Sequence, residues 1–286
     1  MRHLVLGGTG TVGGAVVEGL LEAGEDVRVP TRSEEKAASL PDGAVGVVGD
    51  LREPDDYAKI FRDFDRMFLL NAVSITELHE GLAALNEALR AGVERVVYLS
   101  VHDAEKGRHI PHFSSKLAVE DALRDADVPY TILRPNNFFQ NDLWSREALV
   151  DHGIYPQPIG DRGLSRVDVG DIADAAVRAL TRPGHEGRTY TLVGPDVLTG
   201  EDCAGAWAAG LDREVRYAGD DLDAWAAQAR QQLPEWMVYD FRLMYRTFQE
   251  EGLAATDEQL EETREILGRA PRSFGDFVEE TAAAWS

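Results

Sequence analysis

The chain has 286 residues, 44% of them hydrophobic and 28% charged, with a formal net charge of −22. This is the composition of a folded chain with a large core and no low-complexity tracts, which excludes a mainly disordered protein. The negative field repels polyanions, which argues against nucleic acid or an anionic membrane as the main partner. The longest apolar runs, such as Val96 to Leu99, are far shorter than the roughly 20 residues a membrane span needs. Met1 leads straight into an apolar strand-like segment with no basic, apolar or cleavable leader, so a cytoplasmic location is expected.

Short apolar runs predict strands near 3–6, 26–30, 45–49, 65–70, 94–99 and 129–134. Helical periodicity predicts helices near 11–23, 34–40, 54–62, 76–91, 114–126 and 138–150. The alternation is that of an α/β chain with a doubly wound parallel sheet, a Rossmann fold over 1–150. A Gly/Pro-rich connection, 152–163, then leads into a smaller, mostly helical C-terminal lobe over 151–286, read as a substrate or lid region. Within that lobe 165–195 returns to the sheet, with a helix from about 169 to 180 and a strand over 188–193. Further on, Trp207, Trp225, Trp236, Phe241, Tyr245 and Phe248 recur at helical spacings, which serves either core packing or a lid.

The strongest motif follows the first strand and opens a helix: Gly7-Gly8-Thr9-Gly10-Thr11-Val12-Gly13. In that setting the glycines permit a tight turn, close approach to a pyrophosphate, and close packing of helix on sheet. The helix N-terminus supplies free N–H groups for the phosphates. NAD-specific members of this fold place an acidic residue at the end of the second strand. Here the chain reads Pro30-Thr31-Arg32-Ser33, with Lys36 one turn along, so a forked cation is offered to a 2′-phosphate and NADP(H) is the expected cofactor.

Asp50 and Leu51 close the third strand, where the carboxylate either takes an adenine amino group or stabilises a turn. Asn71 after the fourth strand and Ser100 after the fifth occupy crevice positions, or satisfy local backbone. Asn136 and Asn137 follow the sixth strand and place amides near the nicotinamide, or cap the next helix. His102, His109 and His112 lack regular ligand spacing, and no metal is expected. The single Cys203 has no partner for a disulfide or a metal site.

These residues together resemble the NmrA-like branch of the atypical short-chain dehydrogenases over roughly residues 1–200. The resemblance is carried by the glycine run, Thr31-Arg32, Gly49-Asp50-Leu51, Ser100, Lys116-x-x-x-Glu120 and the segment Val128 to Phe138. It implies a nicotinamide site at Lys116, which in short-chain dehydrogenases follows a tyrosine by four residues. Here the corresponding residue is His112, so the proton-donating tyrosine is missing. Lys116 is read as a ligand of the nicotinamide ribose, and His112 either as a substitute acid or as a loop residue, with Asn136 nearby.

The resemblance implies an NADPH-dependent oxidoreductase that passes hydride to a small aromatic or conjugated acceptor such as a quinone, imine or carbonyl. The alternative is a non-catalytic NADP(H)-binding redox sensor. A sugar-nucleotide epimerase is disfavoured, because that chemistry relies on the intact Tyr-x-x-x-Lys pair.

Only four of the 29 basic residues are lysine, and the segment from Glu201 onward carries 19 acidic residues against eight arginines, a solvated outer face. Codon composition and adaptation to high salt both account for this bias. Thermal melts across a salt series separate them: salt adaptation requires the melting temperature to climb as screening relieves self-repulsion, and a flat series assigns the bias to codon usage.

Overall fold

The computed structural model describes residues 1–285. Its strands are β1 (Arg2–Val5), β2 (Asp26–Thr31), β3 (Ala44–Val48), β4 (Arg66–Leu69), β5 (Arg95–Leu99), β6 (Tyr130–Pro135), β7 (Ile154–Tyr155), β8 (Arg188–Leu192) and β9 (Arg216–Tyr217). Its helices are α1 (Thr11–Glu22), α2 (Glu34–Ala38), α3 (Tyr57–Ile60), α4 (Glu77–Arg90), α5 (Pro111–Asp125), α6 (Arg146–Val150), α7 (Val169–Thr181), α8 (Gly200–Gly210), α9 (Leu222–Ala229), α10 (Glu235–Glu251), α11 (Asp257–Leu267) and α12 (Phe274–Trp285).

Seven strands form one sheet in the order β3-β2-β1-β4-β5-β6-β8, so the winding reverses beside β1. The pairs β1/β2, β1/β4, β2/β3, β4/β5 and β5/β6 are all parallel. This is the expected doubly wound sheet. β4 and β5 are buried almost throughout, as unbroken apolar runs covered on both faces must be. β3, at the edge, is only partly buried. At its middle, Gly46 admits α2: a Cβ there would lie 2.7 Å from the Ala37 Cβ.

Arginines at the starts of two central strands fix α7 under the sheet. Arg66 donates to the Leu180 carbonyl, and Arg95 donates to Ala179 at 2.9 Å and Arg182 at 2.6 Å. Both satisfy carbonyls that the helix end leaves without partners.

Two helix expectations are corrected. The helix predicted over 114–126 starts at Pro111, because proline has no N–H to lose and fits a first turn. His112 therefore lies in that turn and not in a loop. The helix predicted over 138–150 is instead a 3₁₀ segment, Phe139–Ser145, followed by the short α6.

The chain forms two compact units that are discontinuous in sequence. The first comprises 1–104, 112–134 and 169–190, and its core gathers side chains such as Leu4, Phe68, Met67, Tyr98 and Ile132. The second comprises 105–111, 135–168 and 191–286. Its helices pack around Phe139, Trp207, Phe248, Phe274 and Phe277, and β7 pairs in parallel with β9. Five of the six aromatic residues singled out in the sequence enter this core, Trp236 being the exception: Trp207, Tyr245 and Phe248 are buried, with Trp225 and Phe241 half-buried against them.

A complete ion pair lies inside the second unit. Arg166 and Asp142 are both fully buried, with Nη2 donating to Oδ1 at 2.7 Å. Asp142 also accepts from Trp207 Nε1 at 2.8 Å and Gln157 Nε2 at 2.6 Å, while Arg166 donates to the Phe138 carbonyl and to Asn137 Oδ1. Burial opposes the Arg166 charge, but Asp142 more than restores it, so the guanidinium stays cationic. Asp142→Ala leaves that cation buried without its counter-ion, which costs about 3–5 kcal/mol. Urea denaturation of the variant is expected to show a much lower midpoint than wild type.

Candidate functional site

The glycine loop is shaped by contacts that leave no room for side chains. Gly7 has a φ of +71°, and a Cβ on it would lie 2.4 Å from Leu70 Cδ2. A Cβ on Gly13 would sit 2.2 Å from the Gly7 carbonyl oxygen, so α1 can approach the turn only with glycine there. Gly8 abuts Val29 in the same way, at 2.7 Å.

The Gly10 amide closes the turn onto the Gly7 carbonyl at 2.9 Å, and Gly10 caps α1 without any side-chain hydrogen bond. The first-turn amides of α1 thus lack a side-chain cap, the arrangement that receives phosphate. Thr9 and Thr11 are partly or fully exposed beside them, whereas the Val12 side chain turns into the core. An open cavity lies over this loop, lined by Gly8, Thr9, Gly10, Glu18, Lys36 and Leu40.

At the end of β2, Thr31 is buried while Arg32 and Lys36 are exposed. Ser33 caps α2 by accepting the Lys36 amide at 3.2 Å, which fixes the turn that carries Arg32. At the end of β3 the Asp50 carboxylate is engaged by Arg52: Nε donates to Oδ1 at 3.0 Å and to Oδ2 at 3.1 Å. The Arg52 guanidinium holds the Asp50 carboxyl down to about 2. Leu51 packs half-buried against the first unit's core.

Asn71 and Ser100, just past β4 and β5, are both buried, and Asn71 Oδ1 and Ser100 Oγ have no hydrogen-bond partner among the described residues. Buried polar atoms of this kind call for a ligand or water. With the glycine cradle, they make the residues present a good fit for a dinucleotide.

The early start of α5 puts His112, Lys116 and Glu120 four residues apart on one helix face, all buried. Lys116 Nζ donates to Glu77 Oε1, on the first turn of α4, at 2.8 Å. One turn on, Glu120 is fully buried and clamped to β6, accepting from Arg134 Nε at 2.9 Å and Nη2 at 2.6 Å, and from Arg124 at 2.6 Å. Gly81 allows α4 to close on this cluster, since a Cβ there would lie 2.8 Å from Val119 Cγ2 and 3.0 Å from Asn71 Oδ1. The His112 ring meets Phe113 edge-on, with ring centroids 4.7 Å apart.

Asn136 belongs to the second unit. Its Nδ2 donates to the Leu253 carbonyl at 2.7 Å and its Oδ1 accepts the Asn137 amide at 2.7 Å. His109 bonds Thr247 at 2.9 Å, and His102 faces Asp103 at 3.6 Å.

Glu77 and Arg52 escaped the sequence reading. An acidic residue in a helix's first turn reads as a partner for the helix dipole, and only packing shows that Glu77 is buried against a lysine. Because Glu77 offsets its charge, Lys116 acts more as an oriented donor than as a free cation.

The sequence profile of the NmrA-like family matches residues 2–278. The chain belongs to the NmrA-like family. It is similar to the NAD(P)H azoreductase of Xenophilus azovorans, 30% identical over 99% of this chain and 98% of that protein. Among solved structures it resembles the NADPH-dependent quinone oxidoreductase of Escherichia coli complexed with NADPH, with a TM-score of 0.86 at 22% identity, covering 98% of this chain and 99% of that one. It also resembles NmrA, a negative transcriptional regulator, in complex with NADP, with a TM-score of 0.80 at 18% identity over 99% and 96% of the two chains. At such identities the structural likeness establishes the fold. Among the described residues no helix is long and apolar enough to cross a membrane.

Gly13→Ala tests the cradle. The clash with the Gly7 carbonyl is expected to cost about 1–3 kcal/mol and to abolish dinucleotide binding, seen by thermal melting and cofactor titration. Gly14→Ala, where a Cβ would lie an ordinary 3.8 Å from its nearest neighbour, is expected to keep the stability of wild type.

Proposed function

We propose that this chain is an NADPH-dependent reductase that delivers hydride to small aromatic or conjugated acceptors, among them azo compounds, quinones and imines. The observation that carries the reading is a dinucleotide cradle beside a helix that keeps the lysine of a short-chain dehydrogenase and has histidine in place of its tyrosine. The azoreductase relative, alike over nearly its full length, supports the acceptor class.

The glycine loop and the amides at the start of α1 hold the pyrophosphate, and Arg32 with Lys36 holds the 2′-phosphate. Asn71 and Ser100 meet polar atoms of the cofactor toward its nicotinamide end, and Lys116, steadied by Glu77, donates to the nicotinamide ribose. Bound there, NADPH supplies the hydride. Holding cofactor and acceptor in a fixed orientation lowers much of the barrier.

A carbonyl needs a proton donor within about 3 Å as hydride arrives, whereas a quinone or an extended conjugated acceptor can be protonated afterwards by water. The missing tyrosine therefore selects acceptors that need no dedicated acid. Charge balances with one proton from solvent for each hydride transferred.

Monitoring NADPH oxidation with azo dyes, quinones, iminium ions and aldehydes is expected to show turnover of the first three and little with aldehydes. Absence of turnover with every acceptor would leave a cofactor-binding regulator as the function. Titrations are expected to show tighter binding of NADPH than NADH, a preference that Arg32→Ala removes; equal wild-type affinities contradict the assignment of Arg32.

Lys116→Ala is expected to damage NADPH binding and turnover together. His112→Phe is expected to slow quinone reduction by less than the roughly 10²-fold typical of a lost general acid. Loss of all activity in His112→Phe with NADPH affinity intact would make His112 the proton donor.

A further inference from the structure

We propose that Arg52 is a specificity-determining residue at the adenosine end of the cofactor site, acting through Asp50. By neutralising that carboxylate it lets a 2′-phosphate sit on Arg32. The inference rests on the reading that Arg32 receives the 2′-phosphate.

The geometry begins with the ladder. β2 and β3 run parallel with Thr31 opposite Val48, and the Gly49 amide donates to the Thr31 carbonyl at 2.9 Å. The two strands end together, so Arg32, one residue past β2, and Asp50, two past β3, leave the same edge of the sheet. A phosphate brought to Arg32 therefore approaches a carboxylate, and like charges at close range repel.

Arg52 answers that repulsion. Its amide donates to Asp50 Oδ1 at 3.0 Å, its Nε reaches both oxygens, and its Nη2 donates to Oδ2 at 2.5 Å. The donors of one residue thus fall on one carboxylate, and the pair carries no net charge. The Arg52 side chain is 48% exposed and that of Asp50 18%, so the pair sits where a ligand arriving from solvent senses it.

A second carboxylate at this strand end has a cation of its own: Asp56 accepts the Asp50 amide at 2.8 Å and pairs with Lys59 at 2.8 Å. Asp50 is then the carboxylate whose charge depends on Arg52. The sequence holds no acidic residue at the end of β2, and Arg52 extends the same discrimination to the end of β3.

The test compares NADPH and NADH affinities by fluorescence titration at low ionic strength for wild type, Arg52→Ala, Arg52→Ala with Asp50→Asn, and Arg32→Ala. Arg52→Ala is expected to weaken NADPH alone, lowering the NADPH:NADH affinity ratio roughly two- to fivefold, the size of an exposed ion pair. Adding Asp50→Asn is expected to restore the ratio.

Equal weakening of both cofactors by Arg52→Ala would make Arg52 an organiser of the loop and overturn the proposal. A fall in ratio that persists in the double variant would make Arg52 a direct phosphate ligand, which also overturns it, as would no change at all. Arg32→Ala separates the two levels of the reading. A ratio unmoved by Arg32→Ala removes the assignment of the 2′-phosphate itself, whereas a ratio that collapses there but survives Arg52→Ala removes only the role given to Arg52.

Discussion

The site depends on one steric constraint, the approach of α1 to the turn that ends β1. With a hydrogen atom in place of a side chain at Gly13, the helix comes to rest against the Gly7 carbonyl, and the missing cap at Gly10 leaves its first amides open. That contact sits next to β4, where the order of the sheet reverses, and an open α/β sheet binds ligands at such a switch point. The same turn thus packs the fold and prepares an anion site. A side chain at Gly7 or Gly13 would harm both at once.

The electrostatics divide by distance. A chain with net charge −22 repels an anionic dinucleotide at long range, so affinity must come from groups in contact with it. In the function proposed above, backbone N–H groups and two exposed cations, Arg32 and Lys36, provide these. Nearby carboxylates are held by cations of their own, Asp50 by Arg52 and Asp56 by Lys59. Those two carboxylates at the end of β3 therefore add little to the negative field of a strongly acidic surface.

Inside each unit, buried charges serve as fasteners. Glu120 and Arg134 fix α5 to β6, and that bond sets the height at which Lys116 and His112 stand one and two turns earlier. Arg166 and Asp142 do similar work in the second unit, where Asp142 accepts from Gln157, Arg166 and Trp207, 15 to 65 residues away in the chain. Such pairs gain little stability over apolar packing, yet each is costly to break on one side. They favour one arrangement over its neighbours.

Legible in the sequence were the alternation of strands and helices as far as β6, the glycine cradle, the absence of an acid after β2 and the loss of the tyrosine before Lys116. These are local properties: strand and helix periods span a few residues, and a glycine turn is read from consecutive positions. Tertiary structure decided which charges meet. Nothing near Glu77 in the chain announces Lys116, 39 residues away, and nothing near Asp142 announces Arg166. It also decided that α5 begins at Pro111, which places His112 in the first turn, on the face that carries Lys116. The partner of a buried charge is set by packing between distant segments, where desolvation forces a pairing that no local pattern records.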